Sequence, residues 1–170
     1  MALFKQALDK GESGVEALGK LVELHERVQR RRAELEFSAA LAEFQGSCPP
    51  VPKTSKAEIA TKSGSKFGYA YADFEQIVGT ARPHLQRLGF SFTFDSKADG
   101  ALLEVTCTLR HANGHAVSSS FTLPTTSSSG MSEQQKVGAA LTFAKRQCLV
   151  SVLGLSLTDA FCGFKAHRVA

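Results

Sequence analysis

Three runs of strict alternation constrain this chain more than any other feature. Phe90, Phe92 and Phe94 alternate with Ser91 and Thr93; Leu103, Val105, Cys107 and Leu109 form a second run, and Val117, Phe121 and Leu123 a third. Side chains along a strand point to opposite faces in turn, so each run predicts a strand with one apolar face. Asn113-Gly114 marks the turn between the last two. A two-residue loop there would pair Leu109 with Ser118, apolar against polar. A three-residue loop, Ala112 to Gly114, pairs Leu109 with Val117 and Val105 with Phe121. Only the longer loop keeps one face apolar, and it needs Gly114 left-handed in a bulge. The result is an antiparallel meander whose outer face carries Thr106, Thr108, Arg110, Ser118, Ser120 and Thr122.

An apolar sheet face must be covered, and two segments have the period to cover it. Phe74, Ile77, Val78, Ala81, Leu85 and Leu88 fall at helical spacing behind Asp73, an N-cap residue, and Gly89 ends the run. Ser132-Glu133-Gln134-Gln135 is a capping box opening a helix to about Leu153, stopped by Gly154. Its core stripe is Val137, Leu141, Ala144, Cys148 and Val152. Phe143, Leu149 and Val150 make further faces apolar, which predicts cover on more than one side.

The N-terminal part reads as a long amphipathic helix. Ser13 to Glu16 has the form of a capping box, followed by Leu18, Leu21, Val22, Val28, Leu35, Leu41 and Phe44 up to Gly46. Arg30-Arg31-Arg32 interrupts it beside Glu26, Glu34 and Glu36, which favours a solvated, salt-bridged face. Cys48-Pro49-Pro50-Val51-Pro52 stops the helix and predicts a stiff linker. Lys56 to Ala60 and Phe67 to Tyr71 flank Ser63-Gly64, as in a hairpin with a basic tip. The fold expected is α+β: a long N-terminal helix, a β-hairpin, a helix, a three-stranded antiparallel meander and a long helix. The expected organisation is a helical arm over residues 1–47 that drives oligomerisation, a core over 48–157 and a short tail over 158–170.

Composition narrows the function classes. The apolar fraction of 43% excludes wholesale disorder, and no apolar run is long enough for a membrane span. The start, Met1-Ala2-Leu3-Phe4-Lys5, lacks the parts of an export signal. Cys48, Cys107, Cys148 and Cys162 form no CxxC pair, which points to a reducing cytoplasm. The net charge of +4 is unevenly spread: residues 1–45 carry 7 basic and 8 acidic groups, and residues 46–170 carry 13 and 8. Lys53, Lys56, Lys62 and Lys66 form one cluster. Lys136, Lys145, Arg146, Lys165 and Arg168 form another. Two such clusters meeting in the fold would make an anion-binding surface; kept apart, they are solvated faces.

Four catalytic or cofactor patterns fail on inspection or do not occur. Gly14 to Lys20 imitates a phosphate loop, but Leu21 follows where Mg²⁺ needs a hydroxyl, and the segment reads as helix. His111 and His115 bracket a turn without a third ligand at a suggestive spacing, so a polar hairpin end is the simpler reading than a metal site. No G-x-S-x-G elbow and no paired-carboxylate pattern occurs. The expectation is a protein that is not an enzyme and holds no cofactor or metal.

Two features fit a nucleic acid. Tyr69 and Tyr71, the only tyrosines, stand two apart on a strand beside the lysine cluster. Their rings share a face and either stack on unpaired bases, with Lys53, Lys56 and Lys66 near the phosphates, or are ordinary core aromatics. Lys145 and Arg146 sit in the middle of an apolar helix. Buried unpaired charge costs several kcal/mol, so both heads need water or an anionic partner.

The helix Gln135-x-Val137-Gly138-Ala139-Ala140-Leu141-Thr142-Phe143-Ala144-Lys145-Arg146, with Leu149 and Leu153-Gly154-Leu155 after it, is similar to the signature helix of the ERF (essential recombination function) family of phage and prophage single-strand annealing proteins. Phe44-Gln45, Val51-Pro52-Lys53, Tyr69-Ala70-Tyr71-Ala72-Asp73 and Pro83-x-Leu85-x-x-x-Gly89-Phe90 precede it in the matching order, so the resemblance runs from about Leu35 to Leu157. It implies ATP-independent binding of single-stranded DNA, annealing of complementary strands in phage-type homologous recombination and repair, and ring or helical homo-oligomers in the bacterial host cytoplasm. A phage exonuclease and the host single-strand binding protein are the further partners it brings into view. It also implies that Lys145 and Arg146 line an inner DNA groove, that Tyr69 or Tyr71 is the aromatic at the hairpin's end, and that Lys53, Lys56 and Lys66 loosely match its basic residues. One departure stands out: Thr158 to Gly163 has a single acid where relatives carry an acidic stretch. The rival reading is a non-enzymatic oligomeric scaffold or protein-binding module with a solvated basic face.

Overall fold

The structure, a computed structural model, describes residues 12–60, 66–125 and 132–159. Helix α1 (Glu12–Ser47) leads into strand β1 (Val51–Lys53) and the hairpin β2 (Ser55–Ala60) and β3 (Lys66–Tyr71). Helix α2 (Phe74–Arg87), the meander β4 (Phe90–Asp99), β5 (Leu102–His111) and β6 (Ala116–Pro124), helix α3 (Glu133–Leu153) and strand β7 (Leu157–Asp159) complete it. The fold is α+β, in the element order expected.

The meander has the register that keeps one face apolar: Leu109 pairs with Val117 and Val105 with Phe121. The turn is closed by His111, whose amide donates to the His115 carbonyl at 2.9 Å. Gly114 has φ +95°, the left-handed geometry that the three-residue loop requires. Leu103, Val105, Cys107 and Leu109 are all buried. On the outer face, hydroxyl pairs Thr106–Ser120 and Thr108–Ser118 lie 2.8 and 3.0 Å apart. The inner face is covered by α3, which crosses β5 and β6, and by α2, which packs on β4. Asp73 caps α2 through the Gln76 amide. Ser132 and Gln135 form the reciprocal capping box of α3, and Gly154 ends that helix in the left-handed conformation.

Four expectations need correction. Ser13 does not cap α1, because the helix already includes Glu12. Val51 to Lys53 is no linker: it forms a strand, with Val51 fully buried, that pairs in parallel with β7, Val51 opposite Leu157 and Lys53 opposite Asp159. The cover over α3 is uneven, because Leu149 is buried while Val137 and Phe143 stay exposed. The His111–His115 turn is not a polar end, as described below.

Helix α1 divides at about Ala33. Beyond it, Phe37 and Phe44 enter the core; before it, Val15, Leu21, Val22, Leu24 and Val28 are exposed. Arg31 and Arg32 pair with Glu34 and Glu36 along the helix surface, as the charge pattern suggested. Gln45 reaches across to the end of α3, where its Nε2 donates to the Leu153 carbonyl at 3.2 Å. A Cβ at position 154 would lie 2.7 Å from that nitrogen, a clash the flexible Gln45 side chain can relieve, so it is the φ of +63° that calls for glycine. The Phe44-Gln45 and Leu153-Gly154 pieces, distant in sequence, thus meet at one joint.

Candidate nucleic-acid interface

The hairpin and the outer side of α3 enclose an open groove of about 510 Å³. One wall comes from the hairpin. Its register sets Ala57 opposite Tyr69 and Ser55 opposite Tyr71, so these four residues share a face. The tyrosine rings are 6.0 Å apart and tilted by 44°. Tyr69 is 41% exposed, too open for a core aromatic. The other wall is α3, where Gly138, Ala139, Thr142, Phe143 and Arg146 fall one turn apart on a single face. The first two are small, and a Cβ at Gly138 would meet nothing within 4 Å.

Arg146 is the one cation lining this groove among the described residues. Its guanidinium carbon sits 4.9 Å from the Tyr71 ring centroid and 5.2 Å from that of Phe143, between two aromatic rings. Nη1 donates to the Ala72 carbonyl at 3.4 Å. The guanidinium has five N–H donors, and no carboxylate among the described residues pairs with it. Asp73 also lines the groove, but its oxygens accept from the Gln76 amide at 2.9 Å and the Ser55 hydroxyl at 3.0 Å. The site therefore offers a guanidinium with donors to spare beside the exposed rings of Tyr69 and Phe143, chemistry that suits a phosphate and a stacked base.

The remaining candidates lie elsewhere. Lys145 does not line the groove; its Nζ sits 5.7 Å from the Phe94 ring centroid, on the flank of α3 that faces β4. Consecutive helix residues are about 100° apart, and here that rotation separates the pair. Lys53 forms an ion pair with Asp159 at 3.2 Å, across the β1–β7 ladder. Lys56 pairs with Ala70 and so stands on the hairpin face opposite the tyrosines. Lys66 opens β3 opposite Ala60, but its side chain lies outside the described residues, as do Lys62, Ser63 and Gly64 of the tip, the Ser127 to Ser129 loop, Cys162, Lys165 and Arg168. Phe143 was not anticipated as a groove residue; its place three residues before Arg146 is the signal that points to it.

The motifs set aside have structural roles. Gly14 to Lys20 is helical. His111 and His115 pack with Phe37 and Phe90 in an aromatic cluster, with Phe37 4.9 Å from His115 and 5.3 Å from Phe90 between centroids. His111 Nε2 lies 3.1 Å from the Leu88 carbonyl, and the Asn113 amide donates to Nδ1 at 3.4 Å. A carbonyl only accepts, so the proton is on Nε2, and both ring nitrogens are engaged. Burial pushes the Cys107 thiol up to about 12, with Cys148 beside it adding to the effect.

With this geometry in hand, comparison with protein families is decisive: the model of the ERF superfamily matches residues 37–160. The chain belongs to the ERF superfamily. The match runs from the inner half of α1 through the hairpin, both groove walls and β7. Membership implies a part in phage-type recombination by single-strand annealing, the work of ERF proteins as non-enzymatic DNA partners. No curated protein and no solved structure matches the chain. No helix among the described residues is long and apolar enough to cross a membrane.

Proposed function

We propose that this ERF protein binds single-stranded DNA without ATP and anneals complementary strands during phage-type homologous recombination and repair, in the cytoplasm of the bacterial host. The observation that carries the reading is Arg146: a guanidinium with no carboxylate partner among the described residues, held between Tyr71 and Phe143 in an open groove. Phosphate oxygens meet the guanidinium, and bases stack on the tyrosine rings. Contacts of this kind engage phosphates and ring faces, so Watson–Crick edges stay free to test a second strand. Lys145, Lys56 and Lys66 supply longer-range attraction from neighbouring faces, whereas Lys53 is already occupied by Asp159.

The protein works as a homo-oligomer, a ring or helical filament, that adds one modest charge to the next. Residues 1–47 serve as the assembling arm, 48–157 as the annealing core and 158–170 as a tail. The exposed Val15, Leu21, Val22, Leu24 and Val28 of α1 support assembly through the arm, and they equally favour the second reading, a scaffold without DNA. A phage exonuclease and the host single-strand binding protein are its partners in this scheme.

The test is annealing of complementary oligonucleotides without ATP. Wild-type protein should anneal them; Arg146→Ala should lose most of the activity, Lys145→Ala less, and the double variant all of it, with oligomers intact by negative-stain imaging. Annealing that survives the double substitution would exclude this groove, and failure of the wild type to retain single strands would leave the scaffold.

A further inference from the structure

The groove does not end at Phe143. That ring is 39% exposed and meets Phe121 of β6, itself 36% exposed, at 5.8 Å and an interplanar angle of 64°. Strand order β4-β5-β6 leaves β6 at the edge of the meander, so among the described residues no strand lies beyond Phe121. Tyr69 and Tyr71 at one end, Arg146 in the middle, and Phe143 and Phe121 at the other form a continuous series of contacts. Its steps are 6.0 Å between the tyrosines, 4.9 and 5.2 Å from the guanidinium to its two neighbouring rings, and 5.8 Å between the phenylalanines.

We propose that Phe143 and Phe121 form a second base-stacking platform, which carries the single strand out of the groove, past Arg146, to the edge of the meander. This rests on the DNA-binding reading above and deepens it. Two exposed rings in contact on a soluble domain also suit a contact between copies of the chain. Charge decides against that occupant. An apolar contact over this line would bury the Arg146 guanidinium, which pairs with no carboxylate among the described residues. A polynucleotide supplies what the line lacks: phosphate for the cation and flat apolar faces for the rings, in alternation. The pattern is mirrored about Arg146, so one phosphate there leaves bases to either side.

The chain has no tryptophan, so Phe143→Trp and Phe121→Trp each install a single fluorescent reporter. On titration with oligothymidylate, both reporters should be quenched in step with a gel mobility shift. Phe143→Leu and Phe121→Leu keep apolar bulk but remove the ring face, and each should weaken oligothymidylate binding roughly five- to hundredfold. The dependence of binding on salt should stay as in wild type, whereas Arg146→Ala should lower it. Oligonucleotide retained in the gel with both reporters silent overturns the platform and leaves the groove standing. Emission that changes with protein concentration alone assigns the rings to a contact between copies and also overturns it. Absence of any shift with wild-type protein overturns the platform together with DNA binding.

Discussion

Two aromatic clusters in this molecule are built from similar parts and do opposite things. One gathers Phe37, Phe90, His111 and His115 where α1 crosses the meander turn; the other gathers Tyr69, Tyr71, Phe143 and the Arg146 cation beside the hairpin. In the first, Phe37 is 3% exposed and both nitrogens of His111 have partners. In the second, Tyr69 and Phe143 are exposed and a guanidinium has donors to spare. Ring content does not separate a binding site from a joint; the difference is whether polar groups and ring faces are already satisfied.

The contrast is easiest to break at its closed end. Phe37→Ala removes the ring that ties α1 to the turn and should cost about 3–5 kcal/mol of stability, read as a lower midpoint in urea. DNA affinity of the fraction that remains folded should be unchanged. At the open end the pattern inverts. Tyr71→Leu should shift stability by less than about 1.5 kcal/mol while weakening single-strand binding by about 1–3 kcal/mol, measured by fluorescence anisotropy. A large stability loss there would make the groove a second joint. Arg146→Ala should cut the slope of log affinity against log salt by about 0.7, the signature of one phosphate contact on a single strand. The last effect appears only at alkaline pH and lies in the core between β5 and α3. Cys107 folded holds its proton up to about 12 against an ordinary 9.0, so its contribution is fully present below pH 9. Stability should fall as pH rises from there toward 12, because the unfolded chain then binds fewer protons. Cys107→Ala should flatten that fall in melting temperature.

Much of this was legible in the chain itself, and the reasons differ by element. The meander register followed from one physical demand, an unbroken apolar face, which only one loop length meets. The caps of α2 and α3 followed from side chains that satisfy free helix amides. The β1–β7 ladder was hidden because three-residue strands carry no period, and Pro52 in the middle argues against a strand. Lys145 and Arg146 were grouped because they are neighbours in sequence, although a helix turns neighbours onto different flanks. Lys56 was grouped with the tyrosines for want of the cross-strand register, which sets it on the opposite face. The aromatic pair Phe143–Phe121 joins residues of α3 and β6 that only packing brings together.

The β1–β7 ladder carries a consequence for the order of events during synthesis. It joins Val51–Lys53 to Leu157–Asp159, so more than half the chain lies between the two strands. Contacts so distant in sequence close slowly and late, after the local hairpin and meander have formed. Since β1 runs almost directly into β2, the root of the tyrosine hairpin is held at first by its bonds to the start of α2, Ser55 to Asp73 and Thr54 to Gln76, and gains the β1–β7 ladder last. A nascent chain therefore completes the groove only once the core is almost fully translated, because its second wall, α3, is also among the last elements made.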